Sequence, residues 1–386
     1  MNIIYTGLFA YPDSNANSLR VDGVVRILEN LGHNVTICPG LVSGTKKIDR
    51  EQSVEVVNEY KSGFFSQLSS IRGMFVGDNT IAWLESLEKK PDIIILYGTH
   101  LGYLIRLLKF TKKYNIKLIL DVVEWYDPRH LPGGLLGPFA IMNELSMRFF
   151  VRKVDGIITI SEYLKKYYNQ SVEEIVLIPP VFQSIKSLDD RIENSVVTLC
   201  YVGTPGKKED FNFLFKALDK LYESNVKFKF DFVGMNKELF VNRYHDVKFI
   251  HNEDYCRFHG KVPNIVAKNI IKASDFMLVF RPNLRFSNAG FPSKIPESLS
   301  LGTPIICNVF SDIKLYLTDG KDSFIIEDSG QNSFFEKLSI IFSQNSHERL
   351  TMRDNAGKTF FQYFYYKNYS EELNNFLFRI HGKSSR

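Results

Sequence analysis

Short apolar runs, unbroken rather than alternating, recur along the first half of the chain at 2–6, 34–38, 92–97, 117–122, 156–160 and 175–178. Helical periodicity lies between several of them, at 18–31, 101–114 and 162–168. A strand apolar on both faces is one covered on both faces, so the runs predict parallel strands inside a layered α/β domain. Pro179-Pro180 and the polar stretch 183–194 interrupt the pattern, and a linker is placed there. The alternation then restarts, with strands expected at 196–202, 227–233, 247–250, 276–280, 304–308 and 323–326, and helices at 211–221, 264–273 and 295–301. From 333 to about 378 the reading is helical.

The fold expected is therefore α/β, with two doubly wound Rossmann-like domains facing a central cleft. Their bounds are 1–185 and 195–360, and a helical segment, 361–386, is expected to pack back on the first domain. A length of 386 residues suits two such cores.

Composition narrows the functional classes. Hydrophobic residues make up 44% and charged residues 24%, as in ordinary folded chains. The 32 phenylalanines and 19 tyrosines predict either well-filled cores or apolar surfaces. A net charge of +5 permits an anionic ligand or an anionic membrane surface and does not call for nucleic acid. Cys38, Cys200, Cys256 and Cys307 form no CxxC pair, which fits free thiols in a reducing compartment. No signal peptide and no window of roughly 20 apolar residues is read, so a cytoplasmic protein, able to touch a membrane from that face, is expected.

Three strand-end loops of the second half carry chemistry that suits phosphate. Gly203-Thr204-Pro205-Gly206-Lys207-Lys208-Glu209-Asp210 offers close backbone approach and point charges, though it equally fits a plain turn with solvated lysines. Arg281 follows the strand 276–280 and can fork onto phosphate oxygens or form a surface salt bridge. In Gly290-Phe291-Pro292-Ser293-Lys294-Ile295-Pro296-Glu297, Ser293 is a candidate N-cap at a helix mouth whose N–H groups and dipole favour anions. Glu297 stands four residues after Ser293, so the two do not make a capping box, and its carboxylate can accept from a vicinal diol such as ribose. The eight histidines make no HxxxH or HExxH pattern, no Asp-x-Asp triplet is present, and no metal site is argued.

In this order, with Val202-Gly203, His259-Gly260-Lys261-Val262, Ala273-Ser274-Asp275-Phe276 and Pro292-Ser293-Lys294…Glu297…Gly302-Thr303-Pro304, the second half resembles the nucleotide-sugar half of retaining GT-B glycosyltransferases of family four. In the first half, 117–125, 155–164 and 178–180 also resemble that family. The resemblance implies that Lys208 or Lys207 and Arg281 hold a diphosphate, with backbone N–H groups at Ser293 and Lys294. Glu297 would bind ribose, the backbone near Gly260 and Lys261 would read the base, and Gly203 would admit the phosphates. Gly7 and its loop would line the cleft, and Asp121, Glu124 and His100 would face the acceptor or the transferred sugar.

It also implies a UDP- or GDP-sugar donor, no metal, and a saccharide or polyprenyl-linked acceptor in assembly of bacterial capsule, O-antigen or exopolysaccharide. Two departures stand out. Ala289 occupies the position of the family's first glutamate, and Val123 that of its histidine. A nucleotide-sugar 2-epimerase and a non-catalytic nucleotide-sugar-binding protein of the same architecture are the alternatives. The basic-apolar stretch 106–117 fits a solvated amphipathic helix or a surface that meets anionic lipid, and the apolar, glycine-rich stretch 131–150 fits a similar lipid contact or a cover over the acceptor site.

Overall fold

Two parallel six-stranded sheets organise the chain, whose computed structural model describes residues 1–11, 16–39, 77–183, 194–206, 208–209, 211–244, 252–327 and 331–382. The chain forms two compact units. One comprises Met1–Phe182, Asn288–Phe291 and Tyr366–Arg386, and the second comprises Gln183–Ser287 and Pro292–Tyr365. The expected strand at 247–250 and most of the expected linker lie outside the described residues.

In the first unit the strands are β1 (Asn2–Gly7), β2 (Asn34–Pro39), β3 (Ile93–Tyr97), β4 (Lys117–Val122), β5 (Gly156–Thr159) and β6 (Ile175–Leu177), in the order β2-β1-β3-β4-β5-β6. The all-apolar Ile93-Ile94-Ile95-Leu96 run of β3 is buried at every residue, as a strand covered on both faces requires. The helix Leu101–Tyr114 turns Leu104, Leu107 and Phe110 to the core, leaves Lys109, Lys112 and Lys113 in solvent, and ends at Asn115 in the left-handed region (φ 55°). The last helix, Ser370–Gly382, inserts Leu373, Phe376, Leu377 and Ile380 into the same core as Ile3, Ile37 and Ile119. Residue 361 lies within the helix Ser346–Tyr363, which a reciprocal Asn345–Glu348 capping box starts in the second unit.

A buried ionic knot ties the first sheet to its covering helix. Arg20, on Ala16–Asn30, forks onto Asp121 of β4, with Nη2 2.8 Å from Oδ1 and Nε 3.0 Å from Oδ2. Tyr5 of β1 donates its hydroxyl to the same Oδ2 at 2.5 Å, and Arg20 Nη1 donates to the carbonyls of Ile178 and Pro179 at 2.7 and 2.8 Å. The side chains of Arg20 and Asp121 are 3% and 0% exposed, so neither charge has water to fall back on.

The second sheet runs β12-β11-β10-β7-β8-β9, with β7 at Val197–Val202, β8 at Phe228–Val233, β9 at Cys256–Gly260, β10 at Phe276–Val279, β11 at Ile305–Asn308 and β12 at Ser323–Ile326. Its core is aromatic. Phe211, Phe215, Phe230, Phe232, Phe240 and Phe276 are buried together, and Tyr201 stacks on Phe232 with centroids 4.9 Å apart. Much of the phenylalanine content is thus core filling. In this chain the strand β9 carries the sequence Cys-Arg-Phe-His-Gly, in which no apolar run announces it.

Removing one partner of the ionic knot leaves the other charge buried and unpaired. Arg20→Met is expected to lower the stability of the first unit by about 3–5 kcal/mol. Urea denaturation is the check, and Arg20→Met combined with Asp121→Leu should cost less than the sum of the two single changes.

Candidate active site

The second sheet progresses outward in both directions from β7 and β10, so the chain reverses its course between them. In open α/β sheets the crevice at that reversal, at the carboxyl ends of the two strands, is where ligands bind. Here those ends are Val202-Gly203 and Phe280-Arg281.

Gly203 has φ 135°, and a Cβ there would stand 2.6 Å from Lys294 Cε. The missing side chain is what lets Lys294 lie across the end of β7. Its ammonium sits 4.2 Å from the centre of the Tyr201 ring, donates to the Tyr201 hydroxyl at 2.8 Å, and donates to Glu209 Oε1 at 3.1 Å. Glu209 Oε2 accepts the Gly206 N–H at 2.9 Å. Burial pushes the Glu209 carboxyl up, but Lys294, Arg281 and the Gly206 N–H outweigh it and hold the group at about 2. Glu209 is therefore a permanent anion within the cluster.

Arg281 is fixed through its backbone. Asn308, at the end of β11, accepts the Arg281 N–H at 3.0 Å and donates to the Arg281 carbonyl at 2.6 Å. The guanidinium lies 5.9 Å from the Phe310 ring centre, and its Nε is buried with no hydrogen-bond partner among the described residues. Burial lowers its affinity for the proton, with Glu209 opposing. Lys208 is pushed down to about 7, first by burial and then by the Arg281 charge. Burial lowers Lys294 too, and Glu209 partly restores it. Lys208, Arg281 and Lys294 thus gather, half-buried, about Glu209, with Glu297 close to Lys294.

Ser293 occupies the N-cap position of the helix Lys294–Ser300 but does not cap it. Its backbone is already helical (φ −59°, ψ −20°), whereas a capping hydroxyl needs an extended residue to reach back to the first turn. Among the described residues the Ser293 and Lys294 N–H groups find no acceptor. Glu297 is half-buried and makes no side-chain hydrogen bond among them. Burial raises its pKa, while Lys268 and Lys294 pull it down.

Beside this cluster a cavity of about 680 Å³ opens at the carboxyl ends of β7, β8 and β9, and Thr204, Asn236, Arg243, Gly260 and Lys261 are among its walls. Tyr244 donates to the Gly206 carbonyl at 2.9 Å and ties the glycine loop to that side. The structure thus gathers Gly203, Lys208, Arg281, Lys294 and Glu297 in one region of the second unit, with Gly260 and Lys261 on the adjoining cavity. Lys207 lies outside the described residues.

The first-unit candidates behave differently. Gly7 ends β1 with φ 141°, and a Cβ there would stand 2.8 Å from the Tyr97 carbonyl, so only glycine fits. Asp121 corrects the sequence reading: its oxygens are engaged by Arg20 and Tyr5 and fully buried, which makes it an anchor of β4 rather than an acid open to a substrate. Glu124 is half-buried in the segment after β4. Burial pushes His100 down to about 4, so its imidazole is neutral at pH 7. Ala289 is fully buried, and its carbonyl accepts the Ser161 hydroxyl at 2.9 Å.

Tyr201, Asn308 and Lys268 are participants that the sequence reading misses, and Glu209, though part of the glycine loop it singles out, has no role there. Among the described residues no three His, Cys, Asp or Glu side chains gather as a metal site.

Family profiles cover both units. The one described as glycosyl transferases group 1 matches residues 189–359, and the one described as glycosyltransferase family 4 matches 20–182. No protein of curated function matches by sequence. The fold is similar to that of sucrose-phosphate synthase from Thermosynechococcus elongatus (TM-score 0.73, 11% identity, 99% of this chain and 100% of that one). It is also similar to the lipopolysaccharide outer core galactosyltransferase WaaB (0.66, 17%, 98% and 99%). A third is Anabaena HepE in complex with UDP-glucose (0.68, 13%, 98% and 99%). With both profiles matched and two doubly wound sheets of the same fold, this chain belongs to the group 1 glycosyltransferases of the GT-B fold.

Proposed function

We propose that the protein transfers a sugar, with retention of anomeric configuration, from a UDP- or GDP-sugar to a saccharide acceptor, free or carried on a polyprenyl lipid. The observation that carries the donor half of this reading is the excess of buried positive charge at the β7–β10 switch point. Lys208, Arg281 and Lys294 stand about Glu209 with Glu297 beside Lys294, and the buried Arg281 Nε has no partner among the described residues. A diphosphate supplies the missing negative charge and acceptor atoms. Glu297 then takes the ribose hydroxyls, and the cavity bounded by Gly260 and Lys261 takes the base. HepE, of the same fold, is bound to UDP-glucose, which supports the same class of donor.

The chemistry follows from the charge arrangement. The bond between the anomeric carbon and the diphosphate oxygen breaks, and the acceptor oxygen bonds to that carbon on the face just vacated. The acceptor's proton passes to the leaving phosphate. Negative charge grows on the diphosphate as the bond lengthens, and cations already fixed there stabilise it without reorganising. Lys208, Arg281, Lys294 and the Ser293 and Lys294 N–H groups do this with no divalent metal. WaaB, a lipopolysaccharide galactosyltransferase of the same fold, supports a role in surface polysaccharide assembly. A 2-epimerase needs acids and histidines about the sugar, and the burial of Asp121 removes one of the few candidates.

Two measurements test the donor site. By calorimetry in the presence of EDTA, the protein should bind UDP or GDP, and Glu297→Ala should weaken binding about tenfold to a hundredfold, the loss of hydrogen bonds to a charged group. Absence of binding by the wild type overturns the proposal. Transfer of radiolabel from the bound UDP- or GDP-sugar to saccharide then separates a transferase from a non-catalytic binder.

Lys208 adds a pH signature. Its pKa is about 7 in the unliganded protein, and a diphosphate beside it raises that value. Above pH 7 the diphosphate is itself fully ionised, so binding there must take up a proton on Lys208. Affinity should fall as pH rises from 7 towards 9, with proton uptake visible in buffers of different ionisation enthalpy. Lys208→Arg should flatten the profile.

A further inference from the structure

The structure separates the two stretches considered for lipid contact. In the helix Leu101–Tyr114 the apolar members Leu104, Leu107 and Phe110 are consumed by the core, Leu101, Ile105 and Leu108 are half-buried, and the fully exposed positions are Lys109, Lys112 and Lys113. The segment 132–153 is the reverse. Leu135 is 66% exposed, Leu136 88%, Ile141 50%, Leu145 40% and Phe149 58%. Ile141, Leu145 and Phe149 recur at four-residue intervals along a nearly continuous helical stretch, Pro138–Leu145 followed by Ser146–Phe150 and Val151–Lys153. Side chains at that spacing share a face. Leu135 and Leu136 project from the short turn Gly134–Leu136 just before it.

Of the cations on the same segment, Arg129 is paired with Asp127 at 2.6 Å and Arg148 with Glu144, which leaves Arg152 and Lys153 with no carboxylate partner among the described residues. Glu144 is already taken by Trp125 Nε1 at 2.9 Å and by Arg148 at 2.8 Å. Arg152 and Lys153 are exposed and follow Phe149 by three and four residues, so cations stand at the end of the apolar stripe. An apolar face rimmed by cations on an amphipathic helical segment has the composition of an interfacial lipid-binding element.

We propose that residues 132–153 form the surface by which this protein docks on an anionic bilayer. Leu135, Leu136 and Phe149 enter the headgroup–acyl boundary, and Arg152 and Lys153 meet lipid phosphates. A second copy of the chain is disfavoured as the occupant, because a two-fold contact brings two patches of the same positive charge together. The surface lies in the first unit and involves none of the donor-site residues. Among the described residues no helix is long and apolar enough to cross a membrane, so attachment here is peripheral.

Vesicle cosedimentation of the full chain tests this, using phosphatidylcholine vesicles with and without phosphatidylglycerol. The wild type should sediment with the anionic vesicles and be released by high salt. Leu135→Ser/Leu136→Ser/Phe149→Ser should lower partitioning at least about tenfold. Arg152→Glu/Lys153→Glu should abolish the preference for phosphatidylglycerol. These residues are exposed, so thermal midpoints should match the wild type, and a variant that melts early is replaced by the single Leu136→Ser. A wild type that stays in solution, variants that bind like it, or a dimer that the apolar triple dissociates would each overturn the proposal. The assay uses no donor or acceptor, so its failure and that of the donor-site reading are separate results.

Discussion

Holding Lys208, Arg281 and Lys294 together, half-buried, about the Glu209 carboxylate is the constraint on which the second unit is built. Burial disfavours the charged form of Lys208, Arg281 and Lys294 alike, and Glu209 resists that pressure only in part. Each neighbouring feature keeps the arrangement from relaxing. Gly203 leaves room for Lys294, the Tyr201 ring offers its face, and Asn308 grips the Arg281 backbone on both sides. Among the described residues the Arg281 Nε is left buried without an acceptor, which a purely structural ion-pair network does not leave.

That cluster rests on the aromatic core rather than on a loop alone. Tyr201, next to last in its strand, has its ring stacked on Phe232 and its hydroxyl in contact with Lys294. Phe211 packs edge-on against Tyr201, Phe240 and Tyr244, and Tyr244 in turn holds the Gly206 carbonyl. Rings have few rotamers and large contact areas, so they transmit position with little play. The phenylalanine-rich composition is thereby connected to function: it makes a stiff floor under charges whose usefulness depends on not reorganising.

Much of this is legible in the sequence, and the failures have identifiable causes. Strands covered on both faces advertise themselves as unbroken apolar runs, and β3, β4, β7 and β10 are therefore readable, as are the glycine loop, Arg281 and Glu297. The edge strand β9 is not, because an edge strand needs less apolar surface and Cys-Arg-Phe-His-Gly supplies little. Asp121 reads as an open acid because its partner is 101 residues away, and no local pattern announces a pairing at that distance. Ser293 reads as a cap from its residue type, yet capping depends on backbone angles that type alone does not set. The membrane-facing candidates look alike as sequence and separate only once burial shows which apolar side chains are already spent.

The two ends of a donor molecule meet different situations. The nucleotide end is specified by side chains, whereas position 289, where the family carries its first glutamate, is specified here by its backbone. Ala289 is fully buried, and its carbonyl is the acceptor for Ser161. A carboxylate at that site would have to be taken from water. The alanine is thus accommodated by the local fold, with Ser161 securing the segment Asn288–Phe291 in place of a side-chain contact. On the proposed donor reading, recognition of the transferred sugar then comes from groups other than a side chain at 289.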